Sequence, residues 1–478
     1  MTAISDPTPY FAKVTQTPLA DAFDDGRQAH STNGQVPVAN DEQEAAWQDC
    51  LNTGRTAPGM AYVHIPFCEN HCLFCGFYQN PWRVDAGASY VDLVLKQAAT
   101  FEGKKVMEGP PLRALYFGGG TPTALAAKDI DRLVSGLRTL LPLAPDCEIT
   151  LEGRVHSFTE DKMEAAFKAG VNRVSLGVQT FDTRIRRSLG RKRTKDDVIR
   201  TLQTLMAMDS AAIVIDMMYG LPGQTLKSWQ DDLTIVDQLG LDGVDHYGLN
   251  LIPGTPLMLS IEKGKLEPVT RKQLGTYYAY GTEVMQTMGW EQISPSHWRN
   301  LGLRERSVYN FGAKTGWDFF AFGSGAGGKL NGCSFFNNPS LAAYGKLVEA
   351  GKNPVIGMSR PTAFTPVMNA IRAGMERSRI DPSAIRTAQL ESRMKGQDVL
   401  ELLQPLLEQY QEAGLMVSRH RFFDLTLPGR FWNVQMTQRM VAWLSGHFLP
   451  PDQSGNAGHK PSRHPHSNHK NARKTEHV

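Results

Sequence analysis

The chain has 478 residues, enough for a main domain and one or two smaller ones, and its 41% hydrophobic and 21% charged content is that of an ordinary globular protein. The net charge of +3 is confined to residues 451–478, where five Lys/Arg stand against two acids, so a body of zero net charge gives no general reason to expect nucleic-acid binding. No run approaches the roughly eighteen apolar residues of a membrane span, Met1 to Phe11 shows no secretory pattern, and three of the six cysteines crowd one loop, which excludes a disulfide framework and points to a reducing cytoplasm.

Residues 1–57 are polar and without sustained periodicity, an extension that wraps the main domain or is partly disordered, with one short helix expected over Asp41–Asn52. A strand–helix rhythm begins at about residue 58. Strands are expected at Ala61–Phe67, Leu112–Phe117, Glu148–Leu151, Arg173–Val178, Ala212–Met218 and Val244–Ile252. Between and after them lie amphipathic helices at Tyr90–Phe101, Asp129–Leu141, Asp161–Ala169, Asp196–Met208, Leu226–Leu239 and Arg271–Met288. Six such units are too few for a closed eightfold barrel. The pattern predicts an α/β fold whose core, over 58–290, is a splayed partial (βα)6 TIM-like barrel with its chemistry at the C-terminal strand ends.

Residues 291–357 hold the Gly-rich run Phe322–Gly328 and the aromatics Trp298, Trp317, Phe319 and Phe320, and are expected to be a connecting region next to the substrate. Over 358–450, helices at Thr362–Arg377 and Val399–Ala413, a hairpin at Leu415–Leu427 and a last helix to about Leu444 predict a C-terminal helical, winged-helix-like module that packs as a lid. The tail 451–478 is rich in Pro, Ser, Asn and His and basic, and reads as a disordered, solvated terminus. No oligomeric interface is legible.

The chemistry centres on Cys68, Cys72 and Cys75, spaced C-x3-C-x2-C directly after the first strand. Three thiolates on one loop can each hold one iron of a 4Fe–4S cubane and leave the fourth iron open to a ligand. The other metal reading is a zinc knuckle with His64 or His71 as fourth ligand. Cys50, Cys147 and Cys333 read as free thiols. Gly118, Gly119, Gly120 and Thr121 follow the second strand, where residues without a Cβ let the backbone approach a ligand. Glu152 ends the third strand, placed either to bind a ribose diol or to pair with Arg154. Gln179 ends the fourth strand, Arg191 follows it with a guanidinium suited to a carboxylate, and Asp216 ends the fifth. An amide, a guanidinium and a carboxylate together suit a zwitterionic nucleoside.

The cysteine spacing, with Phe74 before the third cysteine, resembles the radical S-adenosylmethionine (SAM) enzymes. Together with the glycine run and the strand-end residues, over roughly 60–450, it resembles the oxygen-independent coproporphyrinogen III oxidase superfamily. The resemblance implies a partial barrel with a C-terminal helical module. It also implies that Tyr62, Phe74, Gly119 and Glu152 contact a cluster-bound SAM, and that Gly120, Thr121, Gln179, Arg191 and Asp216 hold a second one. Phe77 stands where the decarboxylase branch carries a further cysteine, and Gly76-Phe77-Tyr78 stands where the heme-chaperone branch reads Asp-Phe. The runs Cys75–Asn80, Leu151–Arg154, His297–Arg299, Arg304–Asn310 and Phe322–Gly328 look like the anaerobic heme-degrading radical SAM methyltransferases. That branch implies a heme substrate, a flavodoxin-like electron donor, radical methylation of a meso carbon and opening of the ring to a linear tetrapyrrole. Arg299, Arg304 or Arg306 are then expected at the heme propionates, and His246 and His297 are candidate iron ligands, a hydrogen-bonded strand-end histidine being the other reading.

Overall fold

The computed structural model describes residues 6–24, 35–83, 86–392, 394 and 398–449; the His-rich tail 451–478 and residues 1–5 and 25–34 of the N-terminal extension lie outside the described residues. Six parallel strands pair in chain order: β1 (Gly59–Ile65), β2 (Leu112–Gly119), β3 (Leu143–Gly153), β4 (Arg173–Gln179), β5 (Ala212–Tyr219) and β6 (Gly243–Gly248). Outside them lie α1 (Ala86–Ala99), α2 (Ala127–Leu140), α3 (Glu160–Ala169), α4 (Lys195–Met208), α5 (Leu226–Gln238) and α6 (Arg271–Thr287). The strands are buried on both faces, and β5 is buried at every position but Asp216, which is why they read as apolar runs rather than alternations. Thr194, Thr225 and Thr270 open α4, α5 and α6 with capping boxes, each worth about 1 kcal/mol.

Strand boundaries differ from the sequence expectation most clearly at β3, which begins at Leu143 rather than Glu148, and at the ends of β1 and β6. Pro66 has no N–H for the ladder, so β1 stops at Ile65 and Phe67–Cys68 pairs instead with Asn80–Pro81 in a sheet of its own. The sixth strand ends at Gly248 rather than Ile252, because Leu249 N turns back to Tyr219 O and Gly254 takes φ +82° before the next helix.

Residues 291–360 extend this sheet at both edges. His297–Arg299 runs antiparallel to β6, and β7 (Asp318–Phe322) lies parallel beside β1 as a seventh parallel strand. From β7 an antiparallel meander continues through β8 (Gly327–Leu330), β9 (Cys333–Asn337) and β10 (Val355–Arg360), giving a 13-stranded sheet. Asn331-Gly332, both at positive φ, makes the turn from β8 to β9. The C-terminal helices are Thr365–Glu376, Pro382–Glu391, Val399–Glu412 and Asn433–Phe448, around a small sheet of Arg379–Ile380, Phe422–Leu425 and Met416–Arg419. The N-terminal segment straps this module to the barrel: Ala12 N and O bond the Gln409 amide at 2.8 and 2.6 Å, Trp432 Nε1 donates to Pro18 O, and Arg271 of α6 donates to Phe23 O. No helix among the described residues is long and apolar enough to cross a membrane.

Candidate active site

The cysteine loop sits on the C-terminal ends of the strands and is tied down on two sides. Trp82 N donates to Cys68 O, closing its base, while Leu73 N and Asn70 Nδ2 donate to Leu189 O and Gly190 O at 3.2 and 2.9 Å. Cys68 and Cys72 are buried and Cys75 is half-buried. Two of the sulfurs accept from donors the loop gathers: Thr121 Oγ1 lies 3.4 Å and Arg154 Nη2 3.6 Å from Cys68 Sγ, and Phe77 N lies 3.3 Å from Cys75 Sγ. Burial raises the Cys75 thiol pKa and the Phe77 amide lowers it. Each histidine a zinc site would need has one ring nitrogen engaged elsewhere, His64 keeping a buried, unpartnered Nε2. His71 stacks on Tyr78 at 4.4 Å with Nε2 3.2 Å from Cys75 O, and His64 Nδ1 lies 2.9 Å from the Tyr62 hydroxyl. Among the described residues no three His, Cys, Asp or Glu converge on one point, whereas a cubane takes one sulfur per iron. The donor set fits a three-cysteine cluster.

Below the loop the barrel is hollow and acidic. Tyr247 of β6 keeps 43% of its surface accessible, yet desolvation raises its pKa well above 10, as befits a wall residue of an internal lumen. Tyr116 of β2 stacks on Tyr309 at 4.0 Å, and Tyr62 joins them at 6.3 and 6.1 Å. Tyr116 donates to Glu152 Oε1 at 2.6 Å and Gly119 N reaches Oε2 at 3.3 Å. Burial raises the pKa of Glu152 against these two bonds. Asp216 is pushed up to about 7, by burial first and then by Asp245 and Glu152, against Arg173 and Arg191. Carboxylates held this way gain from a cation in the lumen.

Two further wall groups have polar atoms with no protein partner. Gln179 holds φ +68° at an irregularity in the β4–β5 ladder, a conformation costly for a residue with a Cβ, and its Oε1 is buried without a hydrogen bond. Arg191 donates from Nη1 to Gly177 O at 2.6 Å and lies 5.8 Å from the Phe74 ring, but its buried Nε has no partner. A sulfonium answers the acids, a carboxylate answers Arg191 and an N–H or O–H donor answers Gln179 Oε1, and SAM carries a group of each kind.

A sequence profile of the Radical SAM superfamily matches residues 62–235. Anaerobilin synthase of Escherichia coli O157:H7 is 39% identical over 440 residues, which cover 91% of this chain and 95% of that protein. The chain belongs to the anaerobilin synthase family. Heme chaperone HemW of Lactococcus lactis is 29% identical over a shorter stretch, 62% of this chain and 76% of its own. Among solved structures, coproporphyrinogen III oxidase (HemN) from Escherichia coli superposes with a TM-score of 0.71 at 22% identity, covering 85% of this chain and 96% of that one, which shows a shared fold.

In this member of the anaerobilin synthase family the glycine run serves close packing as well as access. A Cβ on Gly118 would meet Glu152 Oε2 at 2.9 Å, one on Gly119 (φ +112°) the His64 ring at 2.7 Å, and one on Gly120 the Phe67 carbonyl oxygen at 2.5 Å. Gly120 N donates to Ile65 O, and Thr121 to Cys68, so these two fasten the second strand to the cysteine loop. Glu152 does not pair with Arg154, which turns away to Asn70 and Cys68.

The expected heme contacts are corrected by the structure. Arg299 pairs with Glu291, Arg304 with Asp209, and Arg306 donates to Asp146 O, all at the N-terminal ends of the strands, on the face opposite the cysteine loop. His297 is sealed between Asp245 at 2.9 Å and Glu305 at 3.1 Å. His246 alternates along β6 with the lumen residues Asp245 and Tyr247, so it faces the helices, packs on Trp229 at 5.1 Å and is lowered by burial to a pKa of about 3. Trp290, Trp298 and Phe320 are core residues. Of the lumen and loop residues, Tyr116 and Tyr247 lie in no motif, while Tyr309 and Arg154 lie in the runs Arg304–Asn310 and Leu151–Arg154 without a role being legible for them. The period-2 alternation Tyr116-Gly118 along β2 was the one signal for Tyr116.

Proposed function

We propose that this protein degrades heme anaerobically: a radical SAM methyltransferase that methylates the macrocycle, opens it and releases iron with a linear tetrapyrrole. The observation that carries the reading is 39% identity to an anaerobilin synthase along 91% of this chain, where the heme chaperone matches 62%. Cys68, Cys72 and Cys75 hold the 4Fe–4S cluster. When bound, the cluster supplies one low-potential electron to a sulfonium ligand.

The chain's own residues bind, orient and exclude water. Tyr62, Phe74, Gly118, Gly119 and Glu152 hold the cluster-bound SAM; the Glu152 carboxylate, pinned by Tyr116, takes the ribose hydroxyls. Gly120, Thr121, Gln179, Arg191 and Asp216 hold the second SAM, with the guanidinium on its carboxylate and Asp216 facing its positive charge. The Tyr62–Tyr116–Tyr309 stack gives the lumen a flat apolar wall against which a macrocycle is placed. A flavodoxin-like protein of the cytoplasm is the electron donor.

Anaerobic incubation of reduced, cluster-loaded protein with heme and methyl-labelled SAM tests this. The expected result is loss of the Soret band with label in a linear tetrapyrrole. Stable heme binding without SAM consumption would replace the enzyme with a chaperone.

A further inference from the structure

The neutral body conceals one strongly uneven stretch. Seven of the twelve residues 184–195 are Arg or Lys and none is acidic. The stretch runs from the short helix Thr183–Ser188 to the first turn of α4, and Leu189 and Gly190 at its middle are the acceptors that anchor the cysteine loop.

Its cations divide into two sets. Arg186 and Arg191 turn inward, onto Val178 O, Thr180 O and Gly177 O, and Arg184 is held by Gly223 O. Arg187, Lys192, Arg193 and Lys195 are exposed and make no ion pair with a described residue. Three of the acids beside them are committed: Asp182 caps the helix Thr183–Ser188, Asp197 completes the capping box of α4, and Glu69 pairs with His156 at 2.5 Å, while Asp196 in the first turn of α4 is exposed.

Two of the exposed set also rim an opening. Lys192 and Arg193 line a pit of about 350 Å³ with Asn70, Arg154, His156 and the carboxylates of Glu69 and Asp197. Arg154 spans from this pit to Cys68, its Nη2 3.6 Å from the sulfur. One side chain therefore separates a cationic surface from a thiolate of the loop. A run of cations is ordinarily just a solvated face, but this one is fixed by caps and hydrogen bonds at the mouth of a path to sulfur.

We propose that Arg187, Lys192, Arg193 and Lys195 form the docking surface for a small acidic one-electron carrier protein, and that the electron enters by way of the Arg154 pit. The proposal rests on Cys68, Cys72 and Cys75 holding a cluster. One electron leaves the carrier's reduced cofactor and arrives on the cluster; no atom or proton is transferred. Unpaired cations beside the entry point draw an acidic partner and orient it, raising the encounter rate in a salt-dependent way.

The test reverses three charges, Arg187→Glu, Lys192→Glu and Arg193→Glu, in the reconstituted full chain. SAM cleavage to 5′-deoxyadenosine is measured with dithionite and, separately, with reduced flavodoxin as the acidic carrier. Dithionite-driven cleavage is expected to stay within about twofold of wild type while flavodoxin-driven cleavage falls about tenfold or more. The wild-type flavodoxin rate should fall with added salt and the variant's should not. An unchanged flavodoxin rate, or equal loss with both reductants, overturns the proposal. So does an equal flavodoxin-specific loss in an Arg419→Glu/Arg421→Glu control on the C-terminal module, or binding of a single-stranded RNA probe that the triple variant abolishes. Wild-type protein that cleaves no SAM with dithionite removes the cluster reading and this proposal with it, a pattern distinct from losing the docking surface alone.

Discussion

From Arg173 at the N-terminal end of β4, Glu305, His297 and Asp245 form a buried chain of charges in alternating sign, each within 3.1 Å of a partner, that rises to Asp245, level with Asp216 on β5. Glu148 adds a carboxylate that accepts from Val308 N and Tyr309 N, capping the helix Val308–Lys314 that carries Tyr309 into the lumen. At the C-terminal ends, Glu152 and Asp216 are half-buried with like charge nearby, Gln179 is strained, and Arg191 has an unpartnered nitrogen. Both ends are polar and convergent. They differ in whether the protein completes its own pairs. A completed network closes the floor of the barrel, and an incomplete one waits for a ligand.

The largest effect expected lies at the open end. Cys72→Ala should abolish SAM cleavage, a loss of roughly a thousandfold or more judged by 5′-deoxyadenosine, with the unfolding midpoint of the metal-free protein little changed. A variant that keeps wild-type cleavage would remove the cluster assignment.

Glu305→Ala should strike the closed end instead. It strands Arg173 and His297 as buried cations, and a loss of about 3–5 kcal/mol is expected in denaturant titration. Asp216→Asn, which relieves like-charge crowding, should not destabilise. Equal losses in the two variants would erase the contrast.

The two ends also respond to pH in opposite senses. Asp216 titrates near 7 in the fold against 3.8 unfolded, so its carboxylate costs stability that accrues as pH rises from 3.8 and is fully present above 7, and a cation binds best above that pH. SAM affinity should weaken about tenfold from pH 8 to pH 6, and Asp216→Asn should flatten the profile. For His297, burial lowers the pKa but Asp245 and Glu305 outweigh it and bring it up to about 9. Its contribution to stability is complete below 6.5 and lost as pH rises through 9. Burial would raise Glu305, but Arg173 and His297 hold it at about 2, so its contribution is complete above 4.5 and lost as pH falls through 2. Thermal melts of the metal-free protein should therefore be highest between these limits; a melt still climbing at pH 10 would contradict the closed network.

The smallest effect separates the old and new readings of the arginines. Arg304→Ala removes an exposed pair with Asp209 and should cost under about 1 kcal/mol with the KM for heme unchanged. A large rise in KM would return Arg304 to the substrate.

The strands and helices of the barrel were legible to within a few residues because apolar runs and capping threonines are local signals. The cysteine loop was legible because its chemistry is written in one short segment. What misled was residue type without depth. His297-Trp298-Arg299 and Arg304-Glu305-Arg306 carry groups that bind propionates elsewhere, and nothing local says that β6 pairs with the first run antiparallel and turns both to the floor. Tyr116 and Tyr309, 193 positions apart in the chain and 4.0 Å apart in space, meet only because the segment after α6 folds back under the barrel.

Alone, the order of amino acids determined the repeating units and the cysteine loop, and placed most strand ends to within a few residues, since periodicity and spacing are properties of neighbours in sequence. Tertiary structure decided which buried charges find a partner and which do not, because pairing at 3 Å depends on chain segments brought together across the lumen, where desolvation makes an unanswered charge costly. That division is what separates the floor of this barrel from its mouth.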